Sequence, residues 1–147
     1  MKITEALIAE HAVFTALFDY VERVLPNLNT LAEVKMLGGL IEALLDGHGD
    51  AEENLVYVAL DHALDYEGRL DQLHQEHGEI DTRLKRLQAA TDLVGARRLL
   101  KASLITMREH FLHEEKVVFP VIEKALLQET LTELGHAWRQ RQTVAAG

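Results

Sequence analysis

The chain has 147 residues, enough for one domain whose core needs no covalent staples. Its 15 Lys and Arg against 24 Asp and Glu leave a formal charge of −9. Nucleic acid is therefore excluded as an expected partner, since phosphate contacts need a basic face and Arg97-Arg98-Lys101 and Arg139-Arg141 are too small to supply one. There is no cysteine. Disulfides, thiolate nucleophiles and iron–sulfur clusters are ruled out, and imidazole and carboxylate remain as ligands, a set suited to iron, zinc or manganese.

Apolar residues recur at helical spacing almost throughout. A first helix is expected from Thr4, read as its N-cap, to about Leu25, where Pro26 stops it. Its inner stripe is Leu7, His11, Phe14, Leu17 or Phe18, Val21 and Leu25. A second helix starts at the capping box Thr30-Leu31-Ala32-Glu33 and runs to about Leu64. Leu37, Ile41, Leu44 or Leu45, His48, Glu52, Leu55 and Ala59 point inward. Gly47 and Gly49 weaken this helix, by roughly 1 kcal/mol each, and are expected to mark a close approach of another helix beside His48. A third helix runs from about Gly68 to Ala90 with Leu70, His74, His77, Ile80 or Asp81, Leu84 and Leu87 inward. A fourth starts near Thr91 or Asp92 and carries Leu100, Ser103, Met107, His110, Glu114 and Val117, until Pro120 bends or ends it. A short helix from about Ile122 to Arg141 closes the chain. Four long helices with short connections predict an all-α, antiparallel up-down four-helix bundle with a short C-terminal helix, in a single domain. Met1-Lys2-Ile3-Thr4-Glu5 lacks a signal-peptide pattern and the run from Leu55 to Leu60 is far too short for a membrane span, so a cytoplasmic protein is expected.

One phrase occurs twice. His48-Gly49-Asp50-Ala51-Glu52-Glu53, followed by Leu55, Val56 and Tyr57, is echoed by His110-Phe111-Leu112-His113-Glu114-Glu115, followed by Val117, Val118 and Phe119. Glu10-His11 upstream of the first is echoed by Glu76-His77 upstream of the second. The chain thus reads as a duplicated unit, each copy carrying a lone His and then a His-x-x-x-Glu pair. Residues four apart share a helix face, so one imidazole and one carboxylate can reach the same ion. Each pair also interrupts the apolar stripe of its own helix. Burying such groups unpaired costs several kcal/mol, which makes a shared ion-binding centre a better account than solvated polar pairs.

The expected metal ligands are His11, His48, Glu52, His74, His77, His110 and Glu114. Four histidines and two carboxylates suit two irons that share Glu52, Glu114 and one oxygen bridge. His74 then decides coordination. With it, the iron held by His77 and His110 is closed and the iron held by His11 and His48 keeps one open position. Without it, both stay open and irreversible chemistry becomes more plausible. Glu53 and Glu115, roughly 100° further round their helices, are read as surface groups or at best outer acceptors. His113 is read as peripheral, and His62 and His136 as solvated.

On the two H-x-x-x-E-E phrases, the Phe119-Pro120 after the second, and the lone histidines of the first and third helices, the chain resembles the hemerythrin-like (HHE cation-binding) domains across roughly residues 4 to 125. The resemblance implies a four-helix bundle around a non-haem di-iron centre: two iron ions bridged by carboxylates and an oxo or hydroxo group, binding O2 or NO for oxygen binding or sensing. Two departures stand out. The animal oxygen carriers use H-x-x-x-H on the third helix, whereas His74 and His77 are three apart. They also use an Asp one position later on the fourth helix, where Glu114 stands here at spacing four. Bacterial iron–sulfur repair proteins of the superfamily share the H-x-x-x-E phrases but also use cysteines, which this chain lacks. A metal-dependent binding protein is the leading expectation over an enzyme. Turnover of NO, peroxide or iron, or a structural zinc or manganese module, are the alternatives. A ferritin-type oxidase is rejected, because the only Glu-x-x-His motif, Glu133 to His136, lies outside the bundle core.

Overall fold

A computed structural model describes residues 1–64 and 69–145. Among them there is no strand. Helix α1 spans Ile3–Val24 and passes into a 3-10 turn, Leu25–Asn27, that contains Pro26. Helix α2 spans Leu31–Ala51, continues as a π-helical segment, Glu52–Tyr57, and ends as α3, Val58–Leu64. Helix α4 spans Arg69–Gln88; the expected start near Gly68 lies outside the described residues. Helix α5, Leu93–His113, also passes through a π-helical segment, Glu114–Val118, into α6, Phe119–Ala125. Leu126 is extended and breaks the chain direction before α7, Gln128–Ala145. No helix among the described residues is long and apolar enough to cross a membrane.

The helix starts show which caps work. Thr30 accepts from the Glu33 N–H at 3.2 Å, while the Glu33 carboxylate reaches the Asn29 N–H at 3.0 Å, one residue further back than a capping box would have it. Asp92 accepts from the Gly95 N–H at 2.7 Å. Thr4 is not a cap. Helix α1 begins before it, with the Glu5 carboxylate accepting from the Lys2 N–H at 2.9 Å. Thr4 is buried and donates its hydroxyl proton to Glu123 at 2.5 Å. Nor does Pro120 end its helix. It occupies the first turn of α6, where a missing N–H costs little, and the break comes at Leu126. The expected last helix is therefore split, with Ile122 in α6 and α7 starting at Gln128.

The two π-helical segments correct the inner stripes. Each starts at the second member of a His-x-x-x-Glu pair. A π turn accommodates one extra residue, so the inward face moves one position along the chain. After Glu52 the buried residues are Val56, Tyr57 and Leu60 rather than Leu55 and Ala59. After Glu114 they are Val118, Phe119 and Ile122, while Val117 is exposed. Both copies make the same shift.

Two apolar clusters fill the interior. One joins Phe14, Phe18 and Val21 of α1, Val34 and Ile41 of α2, Ile80, Leu84 and Leu87 of α4, and Leu100, Leu104 and Met107 of α5. The other joins Ile3 and Leu7, Val56 and Leu60, Leu70 and Leu73, Val118 and Ile122, and Leu131 of α7. His11, His48, His77 and His110 each fall in sequence between members of the two clusters, so a polar layer separates two dry ones. Close helix approach occurs at Gly38, where a Cβ would collide with the Leu87 side chain, and at Gly135, where it would collide with the Met1 carbonyl. It does not occur at Gly47, which faces open space.

Candidate metal centre

Helices α1, α2, α4 and α5 each project one histidine into the polar layer, and the two π-helical segments add one glutamate each. The ring nitrogens form two pairs. His11 and His48 face each other with their Nε2 atoms 3.0 Å apart, and His77 and His110 do so at 2.9 Å. The carboxylates lie between the pairs. Glu52 presents Oε1 to His48 Nε2 at 3.2 Å and Oε2 to His77 Nε2 at 3.2 Å. Glu114 presents Oε2 to His11 Nε2 at 3.3 Å and Oε1 to His110 Nε2 at 3.3 Å. Each carboxylate thus gives one oxygen to each pair. The result is two donor sets, His11, His48, Glu52 and Glu114, and His77, His110, Glu52 and Glu114, in each of which the ligand atoms lie within 4.8 Å of one another.

The far side of every ring is held by a carboxylate. The Nδ1 atoms of His11, His48, His77 and His110 meet Glu115 at 3.0 Å, Glu10 at 2.8 Å, Glu53 at 3.2 Å and Glu76 at 2.7 Å. An ionised carboxylate only accepts, so each Nδ1 carries a proton and it is Nε2 that is left to offer a lone pair inward when an ion is bound. The duplication is kept here too: Glu10 matches Glu76, and Glu53 matches Glu115. Sequence reading placed Glu53 and Glu115 no closer than an outer role and gave Glu10 and Glu76 none. The signal was present, since Glu10 and Glu76 directly precede the two lone histidines in both copies.

Four imidazoles and two buried carboxylates converge on a small volume. Glu52 and Glu114 are fully buried, and Glu52 Oε1, Glu52 Oε2 and Glu114 Oε2 have no neighbour to bind except the histidine Nε2 atoms that face them. Orphaned buried carboxylate oxygens are strongly disfavoured. Divalent cations of the nitrogen- and oxygen-binding kind satisfy all of them at once, so the residues fit such ions. Without ions His48, His77 and His110 hold protons more tightly than free imidazoles do. Burial opposes a charge on His48, but the Glu52 carboxylate and the Glu10 hydrogen bond outweigh it and push the imidazole up to about 10. His110 is likewise pushed up to about 9, by Glu114 and Glu76 against burial. Burial would raise the Glu114 carboxyl, yet the His11 and His110 hydrogen bonds hold it far below the usual range. Tyr57 donates its hydroxyl proton to Glu114 Oε1 at 3.0 Å. Burial and the charges of Glu52 and Glu114 push that phenol well above its ordinary value, so it stays protonated.

The structure does not bring His74 into either donor set. Leu73 takes the inward position on α4, and the His74 side chain is 49 % exposed. Its Nδ1 lies 3.3 Å from Glu53, the carboxylate that also holds His77. His113 has the same relation to Glu76, at 3.1 Å. His62 and His136 are exposed and lie outside both sets. Phe111 stacks on the His11 ring at 4.0 Å, closing that side with an apolar face.

A family model described as "Hemerythrin HHE cation binding domain" matches residues 2–122. No curated protein and no solved structure matches the chain.

Proposed function

The chain belongs to the hemerythrin HHE cation-binding domain family, and we propose that its buried centre holds two iron ions and binds O2 or NO. The carrying observation is that Glu52 and Glu114 each offer one oxygen to each histidine pair, the arrangement two adjacent ions require and one ion does not use. The ligands of this reading are His11, His48, Glu52, His77, His110 and Glu114. The alternation of helix ends between the two apolar clusters supports the antiparallel up-down four-helix arrangement, in a single domain with α7 as an addition.

A di-iron pair, when bound, supplies redox electrons and an attachment point for a diatomic ligand. The chain's own groups do the rest. Glu10, Glu53, Glu76 and Glu115 fix the imidazole tautomers. The apolar layers on either side exclude bulk water. Tyr57 holds a proton on its hydroxyl beside Glu114, the one phenolic donor hydrogen-bonded to a ligand carboxylate among the described residues. The exposed position of His74 favours one form of this function. His11 and His48 would then hold one ion and His77 and His110 the other, each with Glu52 and Glu114, which would leave room for a small ligand at both and suit reaction with NO, peroxide or iron better than reversible storage. Elemental analysis of protein purified without added metal tests the reading. Two iron ions per chain are expected, and one ion per fully loaded chain would overturn it.

A further inference from the structure

We infer that an acidic cleft between α2 and α4 is the path by which divalent cations reach the centre, and that its charge turns small anions away. The inference rests on the two-ion reading above. The cleft has a volume of about 240 Å³, and His48, Glu52, His77 and His110 lie at its inner end. Five carboxylates line the rest of it: Glu42, Asp46 and Asp50 of α2, Glu53 of the first π-helical segment, and Asp81 of α4.

Two features separate this rim from the general acidity of the chain. Glu42, Asp46 and Asp50 follow one another at intervals of four on one helix face, a like-charge spacing that destabilises a helix. Among the described residues two of the five are paired with a cation, Asp81 with Lys85 at 2.6 Å and Asp50 with Arg141 at 2.6 Å, and the Lys85 charge also acts on Glu42 and Asp46 without touching them. Glu42 and Asp46 form no ion pair among the described residues. At the inner end stands Glu52, fully buried, with no hydrogen-bond donor on either oxygen apart from the facing His48 and His77 rings. A cation moving inward passes from carboxylate to carboxylate and ends on one whose oxygens face only the His48 and His77 ring nitrogens. Low-dielectric walls focus such a field, raising the local cation concentration and lowering that of anions. Gly49 serves the passage sterically. A Cβ there would point at the His77 ring from 4.0 Å, so a long side chain would fill the cleft.

The test is the rate of Co2+ uptake by the metal-free full-length chain, followed by stopped-flow absorbance at low and high salt. Glu42→Gln/Asp46→Asn should load about fivefold more slowly than wild type at ~20 mM salt, with the gap closing at ~0.5 M. The charge-matched control Glu129→Gln/Glu133→Gln, on the exposed face of α7, should load at the wild-type rate. Gly49→Leu should load slowly at both salt levels. Equal rates for Glu42→Gln/Asp46→Asn and wild type at low salt would overturn the path, as would equal slowing of variant and control, or an unslowed Gly49→Leu. None of these outcomes touches the two-ion reading, which falls instead if wild type fails to take up two Co2+ per chain.

Discussion

The two copies of the duplicated phrase agree where they meet the centre and differ one atom layer out. In both, the histidine is followed four residues later by a buried glutamate that opens a π-helical segment, and each ring rests on an outer carboxylate. Nine residues after the histidine, however, one copy has Tyr57 and the other Phe119. The Tyr57 hydroxyl reaches across to Glu114, so Glu114 has a phenol donor and Glu52 has only the histidine rings. The outer carboxylates differ too. Glu53 and Glu76, which hold His77 and His110, each meet a second histidine, whereas Glu10, which holds His48, meets Gln142 of α7 at 3.2 Å. The donor sets are thus tied to a common geometry, and any functional difference between the two positions must arise from their surroundings.

The sharpest way to break the likeness is to remove a shared ligand. Glu52→Ala takes one oxygen from both donor sets, while His48→Ala takes a nitrogen from one. Glu52→Ala should therefore lose the coupling between the ions and most bound metal, with affinity falling more than the ~10–100-fold typical of an outer partner. His48→Ala should keep the His77–His110 position better filled. Metal content and magnetic susceptibility together check this. A Glu52→Ala protein that retains two coupled ions would rule out the bridging role.

Removing the metal tests whether the polar layer depends on it. An ion held at about a thousand times its dissociation constant adds ~4 kcal/mol to a fold that binds it only when folded. At roughly 2–4 °C per kcal/mol for a chain of this size, and with two such ions together contributing ~8 kcal/mol, the loaded form should melt roughly 15–30 °C above the metal-free form. Equal melting temperatures by calorimetry would place the ions elsewhere than in this layer.

How far the sequence discloses these features depends on the kind of interaction. The inward histidines and glutamates were legible because each breaks an apolar stripe, and burial makes such breaks costly. The π-helical segments were not, because period counting assumes a constant turn; only the apolar runs Leu55-Val56-Tyr57 and Val117-Val118-Phe119, wide enough to serve either register, hint at them. His74 was misplaced for a related reason. It shares a turn with His77, but Leu73 competes for the same inward angle and wins by apolar burial. Glu10 and Glu76 escaped notice because outer carboxylates sit on half-exposed positions that any surface acid could fill.

Acidity should weaken metal binding through the histidines. In the metal-free chain His48 and His110 are pushed up to about 10 and about 9, so at neutral pH they hold protons that incoming ions must displace. Apparent affinity should rise about tenfold per pH unit for each proton released, from pH 6 to 8. A pH-indicator dye in weak buffer should register acidification on loading. The stability of the metal-free form should move the other way. A raised folded-state value contributes stability that is complete below the unfolded value of 6.5 and is lost as pH climbs through about 9 to 10. The melting gap between loaded and metal-free protein should therefore widen from pH 7 to 10. A gap that narrows over that range would show that these imidazoles are not protonated in the metal-free state.

The outer layer should give smaller and unequal effects. Glu10→Ala and Glu53→Ala each release one ring from its tautomer-fixing partner and should each weaken metal binding ~10–100-fold. His74→Ala should keep both ions and both magnetic signatures, since that side chain touches Glu53 and not the donor sets. Loss of an ion on that substitution would return His74 to the ligands.

The smallest expected effect is the most direct test of the asymmetry. Tyr57→Phe makes the two phrases alike at their ninth position and leaves Glu114 Oε1 without its phenol donor. A hydrogen bond to a charged group contributes about 1.5–3 kcal/mol when its acceptor has nothing else. In the loaded form the ions share that burden, so metal content should hold and affinity should change only a few-fold. In the metal-free form only the His110 ring still faces Oε1, at 3.3 Å, so that form should lose about 1.5 kcal/mol, the lower end of the range, in urea unfolding. Phe119→Tyr would place a hydroxyl in the second copy, where Phe119 packs 5.6 Å from the His11 ring. It should not rescue Tyr57→Phe, because the donor would stand beside the other histidine pair. Rescue by that second change would mean that a phenol on either side serves equally, and that the difference between the two halves of the centre has no consequence.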